Sequence, residues 1–238
     1  MLMLAVDSAT PVAGVALLDE ERLIREEFIN YKKTHSETLL PMIDKVLAEC
    51  DCSINELSAL AVTTGPGSFT GLRIGLATIK GLSLASGKPV IGVSTLEVLA
   101  HNIIHSQALV GSLLNARKQE VYCSFYDVSG LYPLSLSEEI ACSPAEFVRL
   151  GREVAAEHGQ TSFVLIGDGF YPYQQFFVEE LGDELLRVPH HLMLPRAAAL
   201  GSLAIEKYKR QELEDVFTLR PHYVRLSEAE YKLGRGEL

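Results

Sequence analysis

The sequence lacks tryptophan and is short of positive charge. Its 21 Lys and Arg residues are outnumbered by 31 Asp and Glu residues, which gives a formal net charge of -10 at pH 7. Proteins that bind nucleic acid tightly neutralise its phosphates with Lys and Arg, and an acidic surface repels the same phosphates. We therefore expect no tight binding of nucleic acid by this chain alone. If nucleic acid is involved, a partner has to supply the positive surface.

Cysteine is also scarce, with four residues in a chain of 238. They are Cys50, Cys52, Cys123 and Cys142, and no two of them have CxxC spacing. Zinc sites and the disulfide frameworks of small secreted domains have denser or more regular cysteine patterns. The pattern predicts reduced and mostly buried thiols.

Long apolar runs are absent as well. A membrane-spanning helix needs about 18 or more apolar residues in sequence, and no run reaches that length. The apolar stretch 1–6 has no basic flank and is interrupted by Asp7, unlike a secretory signal peptide. We expect a cytoplasmic protein that does not contact membranes.

Hydrophobic residues make up 47% of the chain, enough for a substantial core. Their pattern predicts one order of elements twice: three strands, helix, strand, helix, strand, helix. In the first half we expect strands at 1–6, 12–18, 22–30, 57–64 and 89–93, and helices at 36–50, at 69–86 and from the last strand to about 105. In the second half we expect strands at 109–115, 120–128, 131–140, 163–166 and 185–189, and helices at 144–158, 171–181 and 195–210.

This order predicts an α/β fold made of two tandem units, 1–107 and 108–238. The duplicated unit resembles the ASKHA fold of actin, Hsp70 and the sugar kinases, which is RNase H-like. Thr34 and Glu37 have the spacing of a capping box at the start of the helix 36–50. The charged segment from 211 onward is expected to be partly extended or mobile.

A glycine-rich loop joins the strand at 57–64 to the helix at 69–86. Its sequence from 64 to 75 is Thr-Gly-Pro-Gly-Ser-Phe-Thr-Gly-Leu-Arg-Ile-Gly. Glycines permit a tight turn, and the free N–H groups at a helix N-terminus can hold an anion. No Gly-Lys-Ser/Thr follows, so the loop is not a P-loop, and its glycine spacing is one residue too long for a dinucleotide fingerprint. A phosphate cradle and a structural turn both remain open.

The run Gly-Pro-Gly-Ser-Phe-Thr-Gly-Leu-Arg-Ile-Gly also resembles the signature of the TsaB (YeaZ) family, which older usage labels glycoprotease-like. Three further stretches agree with that family: 35–37 with 39–41, 115–117 with 120–122, and 221–225. The resemblance implies a non-catalytic subunit that binds TsaD, the catalytic paralogue, and cooperates with the ATPase TsaE. Together they transfer a threonylcarbamoyl group to adenosine in tRNA. It also implies a homodimer when TsaD is absent.

The metal site of TsaD-type proteins has no counterpart in this sequence. Those proteins carry an HLEGH motif after the strand that corresponds to 89–93, and here Thr95 and Leu99 stand at the histidine positions. A Leu cannot bind a metal, and Thr is a poor ligand compared with imidazole. We therefore predict no metal site.

Two histidine pairs offer weaker metal candidates. His101 and His105 have the i, i+4 spacing that places two imidazoles on one helix face, but the glutamate of an HExxH motif is missing. His190 and His191 have no third ligand nearby in sequence. The alternative for both pairs is half-exposed histidines without a ligand.

The nucleotide loops of ASKHA kinases are altered in this sequence. Ala9 stands where kinases have glycine in the first hairpin, and Asp168 brings negative charge into the Gly-Asp-Gly loop. The weak candidates for nucleotide contact are Asp7, Ser8, Thr10, Gly65, Gly67, Gly167 and Gly169. For Asp7, a turn or capping role is an equal alternative. No cofactor is firmly predicted, although a weak ATP or ADP contact in the complex stays open.

The helix 69–86 is apolar nearly all round, so it has to be buried nearly all round. The helix 36–50 adds a second apolar surface. We predict that the two helices form a partner interface, built from Leu39, Leu40, Ile43, Val46, Leu72, Leu76 and Ile79. The alternative is that these residues only pack on each other within the chain. The enzymatic alternative for the whole chain is an independent ASKHA-type ATPase or small-molecule kinase.

Overall fold

The computed structural model describes residues 1–30 and 34–225. Its strands are β1 Leu2–Asp7, β2 Ala13–Asp19, β3 Leu23–Ile29, β4 Ala59–Gly65, β5 Val90–Ser94, β6 Leu109–Arg117, β7 Glu120–Asp127, β8 Leu134–Ser135, β9 Ile140–Cys142, β10 Phe163–Ile166 and β11 Leu185–Leu186. Its α-helices are α1 His35–Glu49, α2 Phe69–Ser86, α3 Thr95–Ala100, α4 Pro144–His158, α5 Gln174–Leu181 and α6 Ala197–Lys209.

The first sheet has the order β3-β2-β1-β4-β5. The pairs β3–β2 and β2–β1 are antiparallel, whereas the pairs β1–β4 and β4–β5 are parallel. The central strands are apolar on both faces because helices cover both faces. Leu4 and Val62 pack on α1 and α2, and Ala5 and Val93 pack on the opposite side against α6.

The second sheet has the order β11-β10-β6-β7-β8, and β9 also pairs with β7. Helices α4 and α5 cover one of its faces, where Phe147 and Phe177 form the core with Leu113. Helix α3 covers the other face through Leu96 and Leu99. The sheet repeats the antiparallel start and parallel continuation of the first sheet, which confirms the predicted fold class.

Several elements differ from their predicted limits. Helix α3 ends at Ala100, not near 105, and the expected strand 131–140 is two short pieces, β8 and β9. Helix α6, expected to complete the second half, packs on β1 and β2 of the first sheet. Gly201 permits this packing because a Cβ there would lie 2.3 Å from Leu18 Cδ2. The division into 1–107 and 108–238 stays a prediction.

The ends of the helices follow local capping chemistry. The capping box predicted for Thr34 and Glu37 does not form, since the Thr34 side chain makes no capping hydrogen bond. Helix α2, in contrast, has a side-chain cap at its N-terminus. The N-cap residue is Ser68, whose Oγ accepts a hydrogen bond from the N–H of Gly71 at 3.3 Å. It ends at Gly87, which has the left-handed φ of 70° that favours glycine.

The segment after α6 is anchored as far as the structure describes it. Glu214 forms an antiparallel bridge with Val90 at the edge of the first sheet. The rest of the predicted extended or mobile segment, residues 226–238, lies outside the described residues. Within residues 1–30 and 34–225, no helix is both long and apolar enough to cross a membrane.

Candidate functional site

The candidate site begins at the first hairpin, where Asp7 is fully buried. Its Oδ1 accepts hydrogen bonds from Thr63 Oγ1 at 2.7 Å and from the N–H of Ala9 at 3.2 Å. Its Oδ2 has no hydrogen-bond partner among the described residues. Burial raises the pKa of Asp7, against the opposing effect of these hydrogen bonds. The carboxyl group therefore acts first as an internal brace between β1 and β4.

Ser8 and Thr10 also make hydrogen bonds within the chain. Ser8 Oγ donates to the carbonyl oxygen of Gly71 at 2.9 Å. The Thr10 carbonyl oxygen lies 2.8 Å from Nε2 of His35, which donates when that nitrogen carries the proton. These contacts fasten the hairpin to the start of α1 and α2.

The signature glycines let α2 and its loop press directly onto that hairpin. A Cβ at Gly67 would lie 2.2 Å from the carbonyl oxygen of Ala9, and a Cβ at Gly71 would lie 2.2 Å from that of Ser8. The N–H of Ser68 donates to the same Ala9 oxygen at 2.6 Å. The space next to these glycines is thus filled by the chain's own backbone, and this geometry favours the structural turn over the phosphate cradle.

Gly65 has a similar role towards the C-terminal segment. It adopts φ of 122°, and its peptide bond to Pro66 is cis. A Cβ at Gly65 would lie 2.6 Å from the carbonyl oxygen of His222. The loop is therefore covered by chain from residue 222 on one side and by the first hairpin on the other.

The second candidate loop, Gly167-Asp168-Gly169, is packed on β6. A Cβ at Gly167 would lie 2.0 Å from the carbonyl oxygen of Leu113, and one at Gly169 would lie 2.9 Å from the carbonyl carbon of Leu114. Asp168 Oδ1 accepts from the N–H of Asn115 at 3.0 Å. Burial raises the pKa of Asp168. Both candidate loops thus contact the protein's own backbone closely.

The positions of the TsaD histidines lie in the core. Thr95 and Leu99 are fully buried, and Leu99 Cδ1 would lie 3.1 Å from a Cβ at Gly167. Thr95 Oγ1 has no hydrogen-bond partner among the described residues. In the described part of the chain, no three His, Cys, Asp or Glu residues are placed to hold a metal ion.

The prediction that His101 and His105 share a helix face is wrong, because α3 ends at Ala100. The His101 ring lies 3.0 Å (Nε2) from Ser202 Oγ and stacks on Tyr132, and burial lowers its pKa. His105 is exposed at φ of 56° beyond the helix. His190 and His191 lie in a short 3-10 turn.

The four cysteines form no disulfide among the described residues. Cys50 and Cys52 are half-buried, whereas Cys123 and Cys142 are buried with their Sγ atoms 3.5 Å apart.

A pocket of about 100 Å³ lies elsewhere, next to the second sheet, and is lined by Leu165, Phe170, Leu185, Arg187, His190 and Met193, among others. It includes none of the predicted nucleotide or interface residues.

Most side chains predicted to form the partner interface are internal. Leu39, Ile43, Val46, Leu76 and Ile79 belong to one buried cluster with the first sheet, and Leu72 is 1% exposed. Among the residues predicted for the interface, Leu40 alone is exposed, at 54%. The predicted stripe is therefore the inner face of α1 and α2, because that face packs on the sheet. Apart from Leu40, any interface on these helices has to use residues outside the predicted set.

The opposite side of α2 is apolar and uncovered by the described chain. This outer face consists of Thr70, Ile74, Ala77, Gly81, Leu84 and Ala85, and only Ile74 among them is half-buried. Leu84 is 59% exposed. Nothing lies within 4 Å of a Cβ at Gly81. Exposed apolar patches of this kind usually mark interaction sites.

Two sheets of this order, with helices on both faces, define an ASKHA-type α/β protein. In fold the chain is similar to the ROK hexokinase from Thermus thermophilus, with a TM-score of 0.50 at 14% identity, covering 88% of this chain and 100% of that one. That likeness concerns the fold alone.

Closer relatives define the family. The TsaD family model, described as tRNA N6-adenosine threonylcarbamoyltransferase, matches residues 22–233. The tRNA threonylcarbamoyladenosine biosynthesis protein TsaB of Bacillus subtilis (strain 168) is 32% identical over 232 residues, which are 98% of this chain and 97% of that protein. The structure of YeaZ from Pseudomonas aeruginosa has a TM-score of 0.76 at 27% identity, covering 93% of this chain and 99% of that one. The chain belongs to the TsaB (YeaZ) family, which confirms the resemblance of its motifs.

Proposed function

We propose that the chain is a non-catalytic partner subunit in the biosynthesis of threonylcarbamoyladenosine in tRNA. In this role it binds a TsaD homologue directly and works with a TsaE-type ATPase. The observation that carries the proposal is the outer face of α2, an uncovered apolar surface on a helix whose other side is fully buried. A cytoplasmic location accords with this role.

The non-catalytic part of the proposal is supported by the candidate loops. Gly67 and Gly167 are pressed onto the backbone of Ala9 and Leu113, so the space a nucleotide phosphate or base would take next to them is reduced. Thr95 and Leu99 offer no imidazole to a metal. The net charge of -10 also disfavours direct tRNA binding and assigns that task to the partner.

The outer face of α2 is suited to close contact with another helix. Ala77, Gly81 and Ala85 are small, so a partner backbone can approach closely around the larger Leu84. Leu40 and Pro41 on α1 are exposed as well. In the absence of the TsaD homologue, a second copy of this chain would cover the same face, giving a homodimer with a self-complementary interface.

The energetics favour the whole face over any one residue. Burying an exposed Leu contributes about 1.5–3 kcal/mol, while association costs about 4–15 kcal/mol in lost freedom. Leu84 and Leu40 together barely offset the lower end of that cost, so the small residues have to contribute area as well. A charge in place of the largest exposed side chain of the face, Leu84, is therefore a sensitive probe, because an unpaired buried charge is strongly unfavourable.

The test is Leu84→Glu, with Leu131→Glu as the matched control. Both leucines are similarly exposed, at 59% and 55%, but Leu131 lies in a loop of the second half. We expect Leu84→Glu to remain folded, to lose the TsaD homologue in co-purification and to be monomeric by light scattering. Leu131→Glu should retain the partner. A folded Leu84→Glu variant that still binds the TsaD homologue would rule out the outer face as the contact.

A further inference from the structure

The segment 221–225, here called the strap, lies across the two sheets. On the side of the first sheet, the N–H of His222 donates to the carbonyl oxygen of Thr64 at 2.7 Å. The absence of a side chain at Gly65 lets the His222 carbonyl pass directly over the end of β4. The strap is thus attached by its backbone to the loop that leads into α2.

Tyr223 connects the strap to the first turn of α2. Its ring stacks on Phe69 with 5.0 Å between centroids and an angle of 26°. The guanidinium carbon of Arg73 lies 3.8 Å from the centroid of the same Phe69 ring, and Arg73 Nε donates to Tyr223 Oη at 3.0 Å. Cation–π and stacking contacts of this kind are attractive and depend on the orientation of the rings. The three side chains therefore hold one another in a fixed order beside the outer face of α2.

His222 and Arg225 connect the strap to the second half of the chain. His222 Nε2 lies 3.3 Å from Glu139 Oε2, and Glu139 also accepts a hydrogen bond from Ser94 of β5. Arg225 pairs with Glu120 at 2.5 Å, and its Nη2 donates to the carbonyl oxygen of Ala116 at 3.0 Å. Glu120 and Ala116 belong to the hairpin between β6 and β7.

We propose that the strap couples the second sheet to the first turn of α2, with Arg225 and Tyr223 as positioning residues for the partner face. Arg225 fixes the C-terminal end of the strap on the β6–β7 hairpin, and Tyr223 in the middle of the strap holds Phe69 and Arg73. The proposal rests on the proposed function only where it concerns binding of the TsaD homologue. The coupling itself is a property of the isolated chain.

The experiment compares Arg225→Ala with Arg220→Ala in the full chain. The two variants remove the same side chain and charge five residues apart, and Arg220 has no hydrogen bond or ion pair among the described residues. Hydrogen–deuterium exchange of the chain alone is measured at Gly71 and Leu72, whose N–H groups bond to Ser68. We expect Arg225→Ala to speed exchange there about tenfold, a change of about 1.4 kcal/mol in opening free energy. Arg220→Ala should match the wild type.

Rescue and partner binding complete the test. The charge-reversed pair Glu120→Arg with Arg225→Glu should recover part of the protection, which a general loss of stability would not allow. The affinity for the TsaD homologue should fall about tenfold in both Arg225→Ala and Tyr223→Ala. Equal exchange in Arg225→Ala and Arg220→Ala would overturn the coupling. If the wild type binds no TsaD homologue, the proposed function fails, while the exchange result still decides the coupling.

Discussion

Gly67 lies so close to Ala9 that a Cβ on the glycine would be 2.2 Å from the carbonyl oxygen of Ala9. The contact joins the loop before α2 to the first hairpin, and the Ser68 N–H donates to the same oxygen. A glycine-rich loop at a helix N-terminus therefore serves here to bring two backbone segments together. The same motif in another setting would leave this space to an anion.

The different surroundings of Gly67 and Gly81 predict opposite effects for a Gly→Ala substitution at each position. Gly67→Ala should lower the free energy of unfolding by about 1–3 kcal/mol or more, because the backbone of Ala9 cannot move away easily. Gly81→Ala, in the exposed middle of α2 with no atom within 4 Å of its Cβ, should raise it by about 0.5–1 kcal/mol. Urea denaturation measures both values. A Gly67→Ala variant as stable as the wild type would contradict the close contact.

Asp7 predicts a pH dependence with a definite sign. Because burial raises its pKa in the folded state, the folded chain binds a proton more readily than the unfolded chain. The stability that Asp7 contributes is thus fully present below its ordinary pKa and is lost as the pH rises through the raised value. Asp7→Asn should remove this loss, so the variant should be no less stable than wild type at pH 7. Its unfolding free energy should also vary less between acid and neutral pH, as measured by urea denaturation across that range. A clear loss of stability at pH 7 would contradict the prediction.

Two adjacent leucines of α1 lie on different sides of that helix, one in the core and one at the surface. Leu39 is 1% exposed and Leu40 is 54% exposed. Leu39→Ala should cost about 2–5 kcal/mol of unfolding free energy because it leaves a cavity in the first core. Leu40→Ala should change it by about 0.5 kcal/mol or less, while weakening binding of the TsaD homologue. Equal destabilisation by both substitutions would show that α1 is oriented differently.

The packed candidate loops predict little chemistry by the isolated chain. Purified protein should give no ATP turnover above a no-protein blank in a coupled assay, and it should not modify tRNA unless a TsaD homologue is added. The reference for the assay is the same mixture with the TsaD homologue and a TsaE-type ATPase present. Multiple turnovers by the chain alone would instead favour the independent ATPase or kinase.

Local signals in the sequence determined many of the elements. The limits predicted for α2, α4 and β10 agree with the structure. For the two helices the reason is local, because Ser68, Ser143 and Gly87 cap or end them through neighbouring backbone groups. The repeated order of strands and helices resembles the ASKHA fold, and the glycine motif together with the stretches 35–41, 115–122 and 221–225 resembles the family. These features depend on residues close together in sequence.

The orientation of α1 and α2 depended on the tertiary structure. Helix α2 is apolar on nearly all sides, so its sequence does not favour one face for the core. The packing of α2 in the folded chain determines which face is buried: Leu72, Leu76 and Ile79 are covered, and Ala77 and Leu84 remain exposed. The partner residues predicted from sequence were therefore mostly those of the core.

Long-range contacts likewise decided the roles of the glycines, of α6 and of the strap. Gly67 has to be a glycine because the backbone of Ala9 lies against it. Gly65 has to be a glycine because the backbone of His222, more than 150 residues further along the chain, lies against it. The 221–225 motif indicated the family but gave no hint that Tyr223 would reach Phe69 or that Arg225 would reach Glu120. Sequence patterns report local backbone preference and burial, whereas the pairing of distant segments follows from how two sheets and their helices exclude water together.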